Sequence, residues 1–142
     1  MELVREIKGV RYYDDSFSTT PETTIAAIEA FDDPEILILG GSGKRSDFLE
    51  LGEIIRKAKN IKIIIGIGEE WSRMKEQFRL ENVGIAAIEG AKNMSQVVLA
   101  ASKVADPGDV VLLSPACASF DMFKNYKDRG EQFKKAVMQL SF

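Results

Sequence analysis

The chain has 142 residues, of which 19 are Lys or Arg and 22 are Asp or Glu, and its formal net charge of −3 offers no basic surplus for binding nucleic acid. It has no histidine and one cysteine, which excludes histidine-based nucleophilic catalysis, cysteine- or histidine-ligated metals and an internal disulfide. The 45% hydrophobic share is typical of one ordinary domain. Its longest apolar runs fall short of a membrane helix, and its first residues are too charged for a secretory signal. We therefore expect a soluble, cytoplasmic protein without nucleic-acid or membrane partners.

Six short apolar runs predict β-strands, at 3–7, 10–13, 36–39, 61–65, 83–88 and 110–113. Most of these runs are nearly continuous and rich in β-branched residues, as strands buried on both faces are. Lys8-Gly9 is predicted to be the turn between the first two strands, and residues 106–109 form the turn into the last one.

Helical patterns alternate with these strands, at 23–31, 48–55, 69–80, 93–104 and 128–140. Thr20 is predicted to cap the first helix, with Pro21 as its first residue. The alternation predicts a single Rossmann-like α/β domain over residues 1–142, with a mainly parallel sheet of about six strands and helices on both faces. In such sheets, ligands bind beyond the carboxyl ends of the strands.

A glycine-rich segment, 40–47, follows the predicted strand at 36–39 and precedes a helix. Its three glycines allow a sharp turn that exposes backbone N–H groups, and Lys44 adds a positive charge, so a carboxylate or phosphate would fit there. The spacing is not that of a Walker A loop, because Ile38 and Arg45 occupy positions that need Gly and Ser/Thr. A tight turn with a solvated lysine is the alternative.

A second segment, 114–121, is rich in small and hydroxyl residues and follows the last strong strand. Its hydroxyls could donate to an anion, although an ordinary small-residue loop has the same composition. Cys117 lies in this segment, and without a histidine to activate it we predict a buried structural thiol rather than a nucleophile.

A third polar segment, 14–20, follows the second strand and begins with adjacent carboxylates, Asp14 and Asp15. Such a pair could hold a cation or accept hydrogen bonds from ribose hydroxyls. A helix-capping cluster is an equally good interpretation.

Taken in order, these three segments resemble the C-terminal domain of the Mur ligases, and in particular its D-glutamate-adding branch. The resemblance runs from about Glu2 to about Leu140, and its most specific stretch is 113–130, followed by Gln132-Phe133. It implies an ATP-dependent ligase of peptidoglycan synthesis, which phosphorylates the carboxylate of UDP-N-acetylmuramoyl-L-alanine so that the amine of D-glutamate can attack the acyl phosphate.

The resemblance also implies roles for individual residues. Lys44 and Thr19 would meet the α-carboxylate of D-glutamate, and Asp15 would approach the nucleotide ribose. Ser119 and Tyr126 would meet the side-chain carboxylate.

The Phe120 backbone would join Ser119 and Tyr126 at that side-chain carboxylate. The sequence departs from the family at Phe17, where a lysine is often found.

The sequence contains neither a P-loop nor a UDP-binding domain, and no metal site is predicted in it. The resemblance therefore implies that ATP and Mg²⁺ are bound mainly by a missing central domain, and that this chain alone is an inactive C-terminal, amino-acid-binding domain. The alternatives are a stand-alone Rossmann-like module that binds anions or nucleotides, and the domain of a related amide ligase such as folylpolyglutamate synthase.

Overall fold

A six-stranded sheet flanked by five α-helices forms the described part of the chain, residues 1–43 and 46–141, in a computed structural model. The strands are β1 (Glu2–Ile7), β2 (Val10–Asp14), β3 (Glu35–Gly40), β4 (Ile61–Ile67), β5 (Ala86–Ile88) and β6 (Val110–Leu113). The helices are α1 (Pro21–Glu29), α2 (Leu49–Lys57), α3 (Trp71–Phe78), α4 (Met94–Val104) and α5 (Tyr126–Met138), with a short 3-10 helix at Leu80–Asn82.

The strand order is β1-β2-β6-β3-β4-β5, and only β1 runs antiparallel to its neighbour. The last strand along the chain therefore lies between β2 and β3, where it pairs through Tyr12 with Val111 and through Leu37 with Leu112. As a result, the loops that follow β2, β6 and β3 are neighbours at one edge of the sheet. The predicted mainly parallel α/β sheet is confirmed.

Each face of the sheet packs against its own set of helices. On one face, α1, α2 and α3 cover strand residues such as Leu37, Leu39 and Ile64. On the other face, α4 and α5 cover Ile36 and Ile38, the alternate residues of β3. Because every residue of β3 is buried, its continuous apolar run reflects cover on both faces. The predicted placement of helices on both faces is confirmed.

The fifth strand is shorter and more exposed than the sequence predicts. It was expected over 83–88 as a strand buried on both faces, but only Ala86–Ile88 pairs with β4, and none of its residues is fully buried. Val83 ends the 3-10 helix and is 44% exposed, and Gly84 has φ +71°. The apolar pattern was misleading because β5 is an edge strand with one pairing partner.

Helix ends follow local capping chemistry. Thr20 accepts a hydrogen bond from the N–H of Thr23 and caps α1 as predicted. Asn93 and Asn125 cap α4 and α5 in the same way, which starts α5 two residues earlier than expected. The third helix stops at Phe78, before the predicted end at 80, because Arg79 adopts a left-handed conformation (φ +50°).

The predicted turns are present. Lys8 and Gly9 both have positive φ, +52° and +78°, which is the geometry of a tight hairpin between β1 and β2. The Asp109 N–H donates to the Asp106 carbonyl at 3.0 Å in the turn before β6. Among residues 1–43 and 46–141, no helix has the length and apolar content needed to cross a membrane.

Candidate functional site

The segment after β3 is joined to the segment after β6 by backbone hydrogen bonds. The Gly40 N–H donates to the Pro115 carbonyl at 3.0 Å, and the Ser42 N–H donates to the Ala118 carbonyl at 2.8 Å. Ser42 Oγ in turn accepts from the Phe120 N–H at 3.0 Å. Two of the three polar segments predicted from the sequence are thus brought together.

Two glycines make this close approach possible. Gly40 and Gly41 have φ of +122° and +149°. A Cβ at Gly40 would overlap the backbone of Ile67, and a Cβ at Gly41 would overlap the carbonyl of Ala118. The glycines of this loop are therefore required by positive φ and by close packing against neighbouring backbone.

The third segment, after β2, is joined to the other side of the β6 segment. Asp15 Oδ2 accepts from Ser18 Oγ at 2.5 Å and from Ser114 Oγ at 2.8 Å. The Asp15 N–H donates to the Leu113 carbonyl at 2.8 Å, and the Ala116 N–H donates to the Ser18 carbonyl at 3.0 Å. All three segments therefore meet at the carboxyl edge of the sheet.

The side chain of Arg129, in α5, joins the segment after β2 to the segment after β6. Its side chain is fully buried and donates from Nε to Ser16 Oγ at 2.8 Å, from Nη2 to the Ser16 carbonyl at 2.7 Å and from Nη1 to the Cys117 carbonyl at 2.9 Å. Burial lowers the pKa of Arg129 to about 10. The sequence reasoning gave this residue no role, although it lies four residues before Phe133 and eight before Val137 on the apolar stripe of α5.

Ser119 is the most distinctive of the predicted site residues. It is only 2% exposed, and its Oγ has no hydrogen-bond partner among the described residues. Its carbonyl accepts from the Phe123 N–H at 2.9 Å, which holds the backbone in place. A buried hydroxyl without a partner costs free energy, so this position is suited to donating to a bound group. The next residue, Phe120, is 71% exposed.

Thr19 and Tyr126 lie on the β2 side of the site. Thr19 is half-buried between the Ser18 contact to Ala116 and the start of α1. Tyr126 is the first residue of α5, and its ring packs edge-on against Phe17 with centroids 5.4 Å apart. Phe17 itself is 71% exposed.

A cleft of about 410 Å³ opens between the end of β2 and the start of α5, and both Asp15 and Tyr126 line it. Gly130 lines it as well, and a Cβ at this position would lie 2.9 Å from Asp14 Oδ2. Two residues with predicted ligand roles thus share one cleft.

Lys44 and Arg45 lie outside the described residues, but the loop on either side of them contacts α3. The Glu70 N–H donates to the Gly41 carbonyl at 2.9 Å, and Arg73 donates to the Ser46 carbonyl. The predicted contact of Lys44 with an anion therefore stays a prediction, while the first turn of α3 is seen to hold the loop that carries it.

Cys117 is a buried thiol, as predicted. It is 4% exposed, and its Sγ lies 3.8 Å from Met74 Sδ. Burial raises the pKa of the thiol to about 12, so the reactive thiolate is suppressed at neutral pH. Among the residues that the structure describes, no group of three or more Cys, Asp or Glu side chains could hold a metal ion.

Comparison with known proteins identifies the family. Residues 1–117 match the family described as Mur ligase, glutamate ligase domain. UDP-N-acetylmuramoylalanine–D-glutamate ligase from Pelotomaculum thermopropionicum is 42% identical over 140 residues, covering 99% of this chain and 30% of the relative. The enzyme of the same name from Aquifex aeolicus is 40% identical over 138 residues, covering 96% and 32%. The chain thus spans about 30% of the length of these relatives.

Solved structures share the fold at low sequence identity. A ligase domain from Haemophilus ducreyi has a TM-score of 0.60 and 18% identity, with 96% of this chain and 98% of that chain covered. MurF ligase from Thermotoga maritima in complex with ADP has a TM-score of 0.57 and 19% identity, with 95% and 30% covered. Since the family match spans most of the chain and the fold agrees, this chain belongs to the Mur ligase family, as a glutamate ligase domain.

Proposed function

We propose that this chain is the C-terminal, amino-acid-binding domain of an ATP-dependent ligase that joins D-glutamate to UDP-N-acetylmuramoyl-L-alanine in peptidoglycan synthesis. Relatives 40–42% identical to it carry the corresponding name. The structural observation that supports this most strongly is the strand order β2-β6-β3, which gathers the segments of Thr19 and Ser119 and the glycine-rich loop at one edge.

The proposed ligand is a small amino acid with two carboxylates, which needs several donors because an unpaired buried charge is costly. Lys44 and Thr19 would bind its α-carboxylate. Ser119, Tyr126 and the Phe120 backbone would bind its side-chain carboxylate. The buried Ser119 hydroxyl, unpaired among the described residues, supports this assignment, because a carboxylate oxygen would supply its missing acceptor.

Two of the proposed contacts involve groups that already have partners. The Phe120 N–H donates to Ser42 Oγ, so a carboxylate bound there would share or replace that contact. Asp15 Oδ2 accepts from Ser18 and Ser114, and Oδ1 lies 3.7 Å from the amino group of Met1, so a ribose hydroxyl bound to Asp15 would share or replace one of these contacts.

In the whole protein, ATP with Mg²⁺ would supply the phosphoryl group that activates the muramoyl-alanine carboxylate. We place their binding mainly in a central domain and the binding of UDP in an N-terminal domain, both beyond this chain, since the named relatives are about three times as long. The residues of this chain would bind D-glutamate and orient its amine. A cytoplasmic location belongs to the same proposal, because the reaction consumes ATP.

The first experiment measures D-glutamate binding to the 142-residue chain by NMR titration. We expect a millimolar Kd, since the rest of the cleft would come from other domains, and weaker binding of L-glutamate. Ser119→Ala should raise the Kd roughly 10- to 150-fold, whereas Ser95→Ala, at an exposed serine of α4, should leave it unchanged. Equal binding of D-glutamate by the Ser119→Ala variant and the unaltered chain would contradict the assignment.

The second experiment uses the longer ligase in which this domain would occur. A charge-assisted hydrogen bond contributes about 1.5–3 kcal/mol, so Lys44→Ala and Ser119→Ala should each raise the KM for D-glutamate roughly 10- to 150-fold. The KM for ATP should stay nearly unchanged. Wild-type KM values for D-glutamate in both variants would mean that the pocket lies elsewhere.

The isolated chain should neither hydrolyse ATP nor form product with both substrates present, because its sequence has no phosphate-cradling P-loop. Phosphate release above a heat-denatured control would contradict this expectation. A coding frame that continues upstream into a GxxxxGK[ST] loop would separate the ligase domain from a stand-alone binding module.

A further inference from the structure

The two segments proposed to bind the two ends of D-glutamate are held by one buried side chain. Arg129 donates to the carbonyl and the hydroxyl of Ser16, three residues before Thr19. It also donates to the carbonyl of Cys117, two residues before Ser119. A single rigid guanidinium therefore spans the space between the Thr19 segment and the Ser119 segment.

The chemistry of arginine suits this role. The planar guanidinium offers N–H donors in fixed directions, so it can set the distance between two carbonyl oxygens. The ammonium of a lysine is a compact charge on a flexible chain and does not fix that distance. Between residues 15–19 and 116–120, the hydrogen bond from the Ala116 N–H to the Ser18 carbonyl at 3.0 Å also joins the two segments, and nearer the strand ends Asp15 bonds to Ser114 and to the Leu113 carbonyl.

The surroundings of Arg129 point in the same direction. Its acceptors are a hydroxyl and two carbonyls, and within the described residues no carboxylate lies close enough to form an ion pair with it. Burying this charge costs free energy, which its three hydrogen bonds to the two segments offset in part. Helix α5 reaches this position because Gly130 allows close packing on Asp14 and Ser16.

We propose that Arg129 is a positioning residue that sets the separation of segments 15–19 and 116–120, and thereby the length of the dicarboxylic amino acid that the site accepts. This inference rests on the proposed function, since it concerns the same ligand. Arg129 itself does not contact the ligand in this scheme. It acts through the backbone of Ser16 and Cys117.

The test compares Kd values for D-glutamate and for D-aspartate, which is one methylene shorter, in the unaltered chain and in Arg129→Lys. Lysine keeps the charge and most of the packing but not the planar guanidinium, so the variant should fold. We expect its Kd for D-glutamate to rise at least tenfold and its preference for D-glutamate over D-aspartate to narrow. Lys135→Met, which removes an exposed cation from the same helix, should change neither value.

The ratio of the two Kd values separates positioning from a merely structural role. Loss of folded protein would weaken both ligands equally and leave their ratio unchanged. An Arg129→Lys variant that folds and keeps the wild-type ratio would overturn the inference, while intact D-glutamate binding would leave the proposed function standing.

A ligand-free measurement tests the effect on the loops directly. Amide hydrogen exchange at Ala116 and Ser18 should become at least tenfold faster in Arg129→Lys, relative to exchange at Ile64 in the sheet. Unchanged protection at these two amides would overturn the inference. If the unaltered chain binds no D-glutamate at all, the proposed function fails and the diacid part of the inference fails with it, whatever the exchange rates show.

Discussion

The two ends of the central sheet each bury a charged residue, Arg129 at the carboxyl end and Glu35 at the amino end. Both are fully buried. Arg129 donates hydrogen bonds through three of its nitrogens, whereas neither carboxylate oxygen of Glu35 has a hydrogen-bond partner among the described residues. Arg129 can therefore keep its positive charge, whereas burial favours the neutral, protonated form of Glu35.

The pKa values express this difference. Burial lowers the pKa of Arg129 only to about 10, so the guanidinium stays protonated at neutral pH. Burial, with a smaller contribution from the nearby charge of Asp33, raises the pKa of Glu35 to about 8, so its carboxyl group is mostly protonated at pH 7. The two residues are equally buried, but Arg129 stays charged because the loops supply hydrogen-bond acceptors. Glu35 is mostly neutral because none of the described residues donates a hydrogen bond to it.

The largest effect is expected at the carboxyl end. Arg129→Met would leave the carbonyls of Ser16 and Cys117 buried without a donor, at about 1–3 kcal/mol each, and we expect a loss of about 2–6 kcal/mol in the free energy of unfolding. Urea denaturation measures it, with Lys135→Met as the control. A loss below about 1 kcal/mol would show that water can hydrogen-bond to these carbonyls in place of the guanidinium.

A substitution in the apolar middle of the sheet provides a stability loss with which the effects at the two ends can be compared. Ile64 is fully buried in β4, between β3 and β5, so Ile64→Ala should cost roughly 2–5 kcal/mol through lost burial and a cavity. Leu99→Ala, at a residue 47% exposed on α4, should cost less than about 0.5 kcal/mol. An unchanged denaturation midpoint for Ile64→Ala would mean that β4 is not an interior strand.

At the amino end the effect depends on pH. The pKa of Glu35 is raised from 4.5 to about 8 on folding, so its contribution to stability is full below pH 4.5, falls between pH 4.5 and 8, and is constant above. The expected fall is about 1.4 kcal/mol per pH unit within that range. Glu35→Gln should remove this slope in urea denaturations at pH 5, 6, 7 and 8.

Glu53→Gln, at an exposed position of α2, serves as the control and should keep the wild-type slope. If Glu35→Gln keeps it as well, Glu35 titrates normally, and the contrast between the two ends of the sheet disappears.

The smallest effect is expected at Cys117. Its thiol is buried and its pKa raised to about 12, so a thiol reagent should label the folded chain far more slowly than the urea-unfolded chain. Cys117→Ala should cost only about 1 kcal/mol of stability. Rapid labelling of the folded chain would show that the 114–121 segment opens easily, despite the contact of Arg129 with the Cys117 carbonyl.

The sequence alone determined most of the local structure. Continuous β-branched runs predicted β3, β4 and β6, because strands covered on both faces need apolar residues at every position. Thr20 and Pro21 predicted the start of α1 through capping chemistry, which depends only on neighbouring residues. The sequence also predicted that the three polar segments lie at the carboxyl ends of β2, β3 and β6, where the structure has them.

Only the tertiary structure decided which of these elements are neighbours and what they bury. The insertion of β6 between β2 and β3 joins Asp15 to Ser114 and Ser42 to Ala118, contacts that span 76 to 99 residues of sequence. Local patterns carry no information about strand order. They also could not reveal that Val83 ends a 3-10 helix, where it is exposed, instead of starting β5.

The two buried charges show the same division. The 3.6-residue period of α5 places Arg129 in line with Phe133 and Val137, so the sequence pattern indicates its burial. Its acceptors, however, are Ser16, 113 residues away, and the carbonyl of Cys117. Glu35 precedes an apolar strand and resembles an exposed strand end. Its burial and raised pKa arise in the folded sheet, where it lies between Ile61 of β4 and Val110 of β6, because desolvation depends on what surrounds a group in three dimensions rather than on its neighbours in the chain.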